Sequence, residues 1–279
     1  MKGKKKGEEA PKKLILGRAS NTLKMGLVGM PNVGKSTTFN IMSKLSVPAE
    51  NYPFCTIDPN TAKINVPDKR FEKLCDMFKP KSKVLAQIAI TDIAGLVKGA
   101  SEGKGLGNAF LSHINGVDGI YHVVRAFPDP DVIHEEGDVD PIRDIETING
   151  ELCAKDIMAL VKIKEDITSR MKRAADKKRD QEELDCMAKV EEMLNKGVMV
   201  KDGVWNVKEV EYLNKHLFLT SKPVVFLVNI GRDEYIKKQN KWLPKIGAYL
   251  KEHGSGPMIP YSAEFEAEVA RADPNDKAK

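Results

Sequence analysis

Nine consecutive residues, Gly29-Met30-Pro31-Asn32-Val33-Gly34-Lys35-Ser36-Thr37, carry the spacing G-x-x-x-x-G-K-[ST]. An apolar run, Leu23 to Val28, precedes them, and a helix-compatible stretch, Ser36 to Leu45, follows. A strand, a glycine loop and a helix in that order form a phosphate-binding loop. The glycines let backbone N–H groups turn inward around a phosphate, and the helix N-terminus adds partial positive charge at the same point. Lys35 would meet the β/γ-phosphates with a full charge, and the Ser36 hydroxyl would be a ligand of Mg²⁺. Asn32, Val33, Gly34, Lys35, Ser36 and Thr37 are therefore candidate nucleotide-binding positions, with Lys35 also a candidate catalytic residue.

A second signature is Asp92-Ile-Ala-Gly95 at the end of an apolar run, Val84–Thr91. Asp92 would hold Mg²⁺ through a water, and the Gly95 N–H would sense the γ-phosphate. Between the two motifs lies Asn51-Tyr-Pro-Phe-Cys-Thr56-Ile-Asp-Pro59. Thr56 can offer its hydroxyl to Mg²⁺, as a first switch loop does. The expected metal set is Ser36, Thr56 and Asp92. Leu96 stands where Ras-like enzymes carry the Gln that orients the attacking water. Hydrolysis would then need another route, and an Asn32 carbonyl on a monovalent cation such as K⁺ is one. Lys98–Gly107 holds four glycines in ten residues and reads as a mobile second switch.

Guanine-specific switches place N-K-x-D at a later strand tip. This chain has Asn229-Ile230-Gly231-Arg232 there. Asn229 and Ile230 are candidate base contacts. Arg232 has only donors, so it cannot accept from the guanine edge. That argues for ATP over GTP. Ser262 and Ala263, after the last strand candidate, match the loop that closes over the base.

These residues need a scaffold that brings strand tips together. Strand candidates are Leu23–Val28, Thr61–Val66, Val84–Thr91, Gly119–Ala126, Pro223–Asn229 and Met258–Tyr261, mostly separated by helical patterns. Such alternation gives an α/β fold with a mostly parallel sheet, and ligands bind at its carboxyl edge. From Pro141 to about Lys201 no strand signal occurs. Ile145, Ile148, Leu152, Leu160, Ile163, Ile167 and Met171 sit mostly three or four apart. Leu184, Met187, Val190 and Leu194 repeat that helical spacing. The expected organisation is a basic flexible tail over 1–20, a nucleotide-binding domain over 21–140 and 203–279, and a helical, coiled-coil-like insertion over 141–202. The last strand leaves room for a short closing helix or none, so the sequence reads as a possible fragment.

The bulk numbers set limits. The chain has 279 residues, is 41% hydrophobic and 30% charged, and carries 45 basic against 40 acidic residues for a net charge of +5. That is an ordinary globular balance, too mild to demand nucleic acid. Lys2, Lys4, Lys5, Lys6, Lys12 and Lys13 make a basic arm that RNA could attract. No apolar stretch approaches the ~18 residues of a membrane span. Cys55, Cys75, Cys153 and Cys186 show no C-x-x-C spacing. They read as reduced cytosolic thiols, and the chain as a cytoplasmic monomer.

Together the motifs resemble the Obg-like ATPases, the YchF-type branch of the translation-factor P-loop GTPases. The likeness runs from about Leu23 to Ala263. Gly29–Thr37, Asn51–Pro59 and Asp92-Ile-Ala-Gly-Leu-Val-Lys-Gly-Ala100 carry it most specifically. Leu213-Asn-Lys-His-Leu-Phe-Leu-Thr-Ser-Lys-Pro223 looks like the eukaryotic members. The resemblance implies an ATP-hydrolysing switch with a helical insertion, cytosolic and associated with ribosomes, on the large subunit or RNA. It places the family's flexible catalytic histidine on His134. Two departures stand out: Arg232 replaces a usual acid, and the C-terminal TGS domain is absent. The rival readings are a GTPase of the same fold and a nucleotide-gated ribosome- or RNA-binding module with negligible turnover.

Overall fold

A computed structural model describes residues 16–17, 22–44, 60–93, 95, 112–129, 137–173, 177–253 and 256–272. Its strands are β1 (Leu23–Val28), β2 (Thr61–Asn65), β3 (Gln87–Asp92), β4 (Gly119–Arg125), β5 (Val224–Asn229) and β6 (Met258–Tyr261). They form one six-stranded sheet in the order β2-β3-β1-β4-β5-β6. Only the β2–β3 pairing is antiparallel; β3, β1, β4, β5 and β6 run parallel. The tips of the parallel strands therefore share one edge, where Asp92, Arg125, Asn229 and Tyr261 end their strands. The expected mostly parallel α/β fold is the one present.

One strand differs from its sequence pattern by more than a single residue. The apolar run was expected to pair from Val84, but β3 begins at Gln87. Val84 is exposed, and just before β3 begins Val66 N–H donates to Ala86 O at 2.8 Å. A run of apolar residues forms a strand only as far as its backbone finds a partner strand to pair with.

Helices whose bounds lie within the described residues are α1 (Lys35–Ser43), α2 (Lys69–Phe78), α3 (Pro141–Arg173), α4 (Lys178–Asn195), α5 (Val207–His216), α6 (Arg232–Lys237), α7 (Leu243–Glu252) and α8 (Ala263–Arg271). α1 packs on β1 and β3 and against α8, while α3 packs over β4 and against α7. Thus β6 is followed by a closing helix, α8, of nine residues.

The stretch 141–202 holds α3, α4 and a 3-10 turn, and α3 belongs to two cores. Its first turns place Ile145, Ile148 and Leu152 in the sheet core with Leu27, Val123, Phe226 and Val228. Beyond Cys153 its apolar face, Leu160 and Ile167, packs with Met187, Val190 and Leu194 of α4 and Tyr212, Leu213 and Phe218. Each such buried side chain contributes about 1.5–3 kcal/mol. Between the two cores sits Asp156. Its buried carboxylate accepts from Leu219 N at 3.0 Å, Thr220 N at 2.8 Å and the Thr220 hydroxyl at 2.7 Å. Burial pushes this carboxyl up, against the pull of its donors. The bonds tie α3 to the turn that leads into β5, the strand ending at Asn229.

Candidate nucleotide site

The loop between β1 and α1 is shaped by two glycines that tolerate no side chain. A Cβ on Gly29 would collide with the Val123 carbonyl of β4. Gly34 has φ +100°, and its Cβ would stand 2.6 Å from Asn229 Nδ2. Only glycine adopts that backbone at low cost and leaves that space. Asn32 also has positive φ, 59°, a conformation that Asn tolerates better than most residues. The loop so formed delivers Lys35 and Ser36 to the first turn of α1.

Lys35 is buried, and its Nζ donates to the Met30 carbonyl at 2.6 Å. A Cβ on Gly95 would meet the same Nζ at 3.1 Å. The second motif therefore lies against the lysine of the first, as a phosphate bridging them requires. The Ser36 hydroxyl donates to Asp92 Oδ2 at 2.8 Å. A hydroxyl and a carboxylate in contact form an all-oxygen pair suited to Mg²⁺, which takes one or two protein oxygens beside phosphates and waters. Thr56, Leu96 and His134 lie outside the described residues, as do the glycine-rich segment 98–107 and most of the basic tail.

A cleft of about 540 Å³ opens over the loop. Asn32, Gly34, Lys35, Ser36 and Thr37 form its phosphate end, and Asn229, Ile230 and Ala263 line the other. Asn229 joins the two ends. Its Nδ2 donates to Val33 O at 3.1 Å and its Oδ1 accepts from Ala263 N at 2.9 Å. Val33 offers that carbonyl but keeps its side chain in the core. Ser262 is fully buried and caps α8, accepting from Phe265 N at 3.3 Å; Ala263, not Ser262, lines the cleft. Tyr261 and Thr38 bond through their hydroxyls at 2.6 Å, fixing β6 to α1 beneath the cleft.

Arg232 does not line the cleft. It opens α6, and its Nε donates to Glu268 of α8 at 2.9 Å, with Asp233 at 3.5 Å. Its charge is legible in the motif, but this partner is not. Also missed were Phe127, Pro128, Asp129, Gly231 and Glu264, which complete the lining. The first three follow the tip of β4, and the rule that ligands sit at parallel strand tips could have found them.

Beneath the loop, His122 of β4 is buried and tilts over Phe226 at 5.3 Å. Burial, and then the nearby Lys35 charge, push its imidazole down to about 3 from the usual 6.5. The folded chain keeps it neutral while the unfolded chain protonates it. Its contribution to stability is present above pH 6.5 and is lost as pH falls toward 3, at about 1.4 kcal/mol per pH unit. Between pH 6.5 and 5 this amounts to about 2 kcal/mol. Urea unfolding at pH 7 and pH 5 checks it: His122→Gln is expected to flatten the difference, and an equal slope in the variant would refute the assignment.

A family described as 50S ribosome-binding GTPase matches residues 24–164. Obg-like ATPase 1 of Oryza sativa subsp. indica is 52% identical over the whole chain, which covers 70% of that protein. The chain belongs to the Obg-like ATPases. Obg-like ATPase 1 of Homo sapiens is 48% identical, again over the whole chain and 71% of its own length. The solved structure of the Schizosaccharomyces pombe YchF GTPase superposes with a TM-score of 0.82 at 46% identity, covering 95% of this chain and 72% of that one. About three tenths of each relative therefore has no counterpart in this sequence. Obg-like membership makes the chain a P-loop nucleotide hydrolase of the GTPase superfamily. Among the described residues no helix is long and apolar enough to cross a membrane.

Proposed function

We propose that the chain is a Mg²⁺-dependent nucleoside triphosphatase that uses ATP in preference to GTP, acting as a cytoplasmic, monomeric switch on the ribosome or its RNA. The observation that carries this reading is one cleft with Lys35 and Ser36 at one end, Ser36 bonded to Asp92 beside it, and the Asn229 bridge at the other. Lys35 would exchange the Met30 carbonyl for the β/γ-phosphates, and the backbone N–H groups of Gly34 to Thr37 would hold the β-phosphate. Mg²⁺, held by Ser36, Asp92 and Thr56, would neutralise charge developing on the transferred phosphoryl group. Gly95 would report the γ-phosphate. Because Leu96 cannot orient water, hydrolysis is proposed to depend on His134 or on a K⁺ held near Asn32. Turnover in K⁺, Na⁺ and a bulky organic cation checks the second part. Faster turnover in K⁺ is expected, and equal rates would remove it.

The preference for ATP rests on the base end. Arg232 stands at the position of the guanine-reading acid and is held by Glu268. Forfeiting two charge-assisted bonds to guanine costs about 3–6 kcal/mol, roughly a hundred- to ten-thousandfold in selectivity. Backbone groups at Ile230 and Gly231 can serve an adenine amino group instead. The GTP reading has one observation in its favour: the carboxyl-bearing Asp129 and Glu264 line the same cleft. The names of the relatives divide in the same way, ATPase for one set and GTPase for another. Titration with ATP and with GTP separates them. ATP is expected to bind at least as tightly; GTP binding tenfold tighter would overturn the preference, and Glu264→Ala would show whether that carboxylate reads guanine.

A further inference from the structure

Arg125 is the last residue of β4 and among the largest fully buried side chains, at 1% exposure. A guanidinium in that position is costly unless its donors are met. Its Nε donates to the Phe127 carbonyl at 3.2 Å and its Nη2 to the Asp129 carbonyl at 3.2 Å. Its Cζ also stands 4.8 Å from the centroid of the Phe127 ring, within cation–π range. Burial pulls the guanidinium down, and the Asp129 and Asp144 carboxylates oppose that pull. All three residues so organised, Phe127, Pro128 and Asp129, line the nucleotide cleft.

The opposite wall grows from the neighbouring strand tip. Arg125 pairs with Asn229 in the β4–β5 register, and Ala126 N donates to Asn229 O at 2.8 Å. The walls close at their base, where a Cβ on Gly231 would come 3.9 Å from Phe127 Cβ. Asn240 Nδ2 bonds the Ala126 carbonyl at 2.9 Å and Glu234 at 2.7 Å, fixing one wall to the other. None of these bonds is made by the phosphate loop.

We propose that Arg125 is a positioning residue for the nucleotide base, fixing Phe127–Asp129 as the wall opposite Asn229–Gly231 and presenting the Phe127 ring as a stacking platform. The inference rests on the nucleotide reading above and extends it to a group that touches no phosphate. With one face of the ring against the guanidinium, the other is offered to a purine. Lysine cannot replace arginine here. It is a point charge without the planar fork that meets two carbonyls and lies over a ring.

Binding of Mg·ATP and of Mg·tripolyphosphate, which has no base, to the unaltered chain, Arg125→Lys and Phe127→Ala tests it. Base–aromatic stacking sets the scale. Each variant is expected to weaken ATP roughly ten- to a hundredfold, about 1.4–2.8 kcal/mol, and to leave tripolyphosphate within twofold. A purely structural role would move both ligands together, and equal losses would overturn the proposal. Undiminished ATP affinity in Phe127→Ala would overturn it as well. That position is half-buried, so the variant decides the matter even where Arg125→Lys fails to fold. If the unaltered chain binds ATP while the variants behave like it, this inference alone fails. If the unaltered chain binds neither ligand, the nucleotide reading fails first.

Discussion

Replacing Lys35 with alanine is expected to lower ATP affinity at least a hundredfold. Lys35 is the full positive charge at the floor of the cleft, between the Met30 carbonyl and Gly95. Two charge-assisted contacts to the β- and γ-phosphates at about 1.5–3 kcal/mol each give about 3–6 kcal/mol, a hundred- to ten-thousandfold. The fold should survive. The bond from the Lys35 ammonium to the Met30 carbonyl is worth about 1.5–3 kcal/mol, a fraction of a domain's stability. Calorimetric titration beside a urea midpoint separates lost binding from lost folding. Wild-type affinity in a folded Lys35→Ala chain would remove the phosphate-loop assignment.

Asp92→Asn is expected to have the second-largest effect, and through the metal. Asparagine keeps the size of the side chain and still accepts from the Ser36 hydroxyl, which Asp92 meets at 2.8 Å. It loses the charge proposed to hold a hydrated Mg²⁺. Removing such a partner costs roughly ten- to a hundredfold in metal affinity. The half-saturating Mg²⁺ concentration for turnover should rise by that factor while nucleotide binding without metal changes little. An unchanged Mg²⁺ dependence would place the metal elsewhere.

How far the sequence could be read depended on how local each signal is. The phosphate loop was legible because its glycines, Lys35 and Ser36 act within nine residues, and the structure shows why Gly29 and Gly34 admit nothing larger. The strand tips at Asp92 and Asn229 were legible because an apolar run stops there. The fold class followed from the same alternation. Val84 misled because it is apolar without a partner strand.

What was not legible is set by contacts between distant segments. Arg232 reads as a donor at the base until Glu268, 36 residues on, is seen to hold it. Ser262 reads as a base contact until its hydroxyl is seen capping α8. Arg125 belongs to no sequence motif, because its surroundings form only where β4 and β5 finish side by side. Likewise α3 reads as one periodic helix, and only packing shows its first turns inside the sheet core and its remainder in a second one.

Phosphate release from ATP by the unaltered chain, followed as Mg²⁺ is withdrawn and restored, tests the central claim most directly. The cleft with its Ser36–Asp92 oxygen pair is expected to give release that saturates with ATP, stops with a chelator and returns with Mg²⁺. Release that never saturates, or that continues at full rate with Mg²⁺ removed, would contradict it.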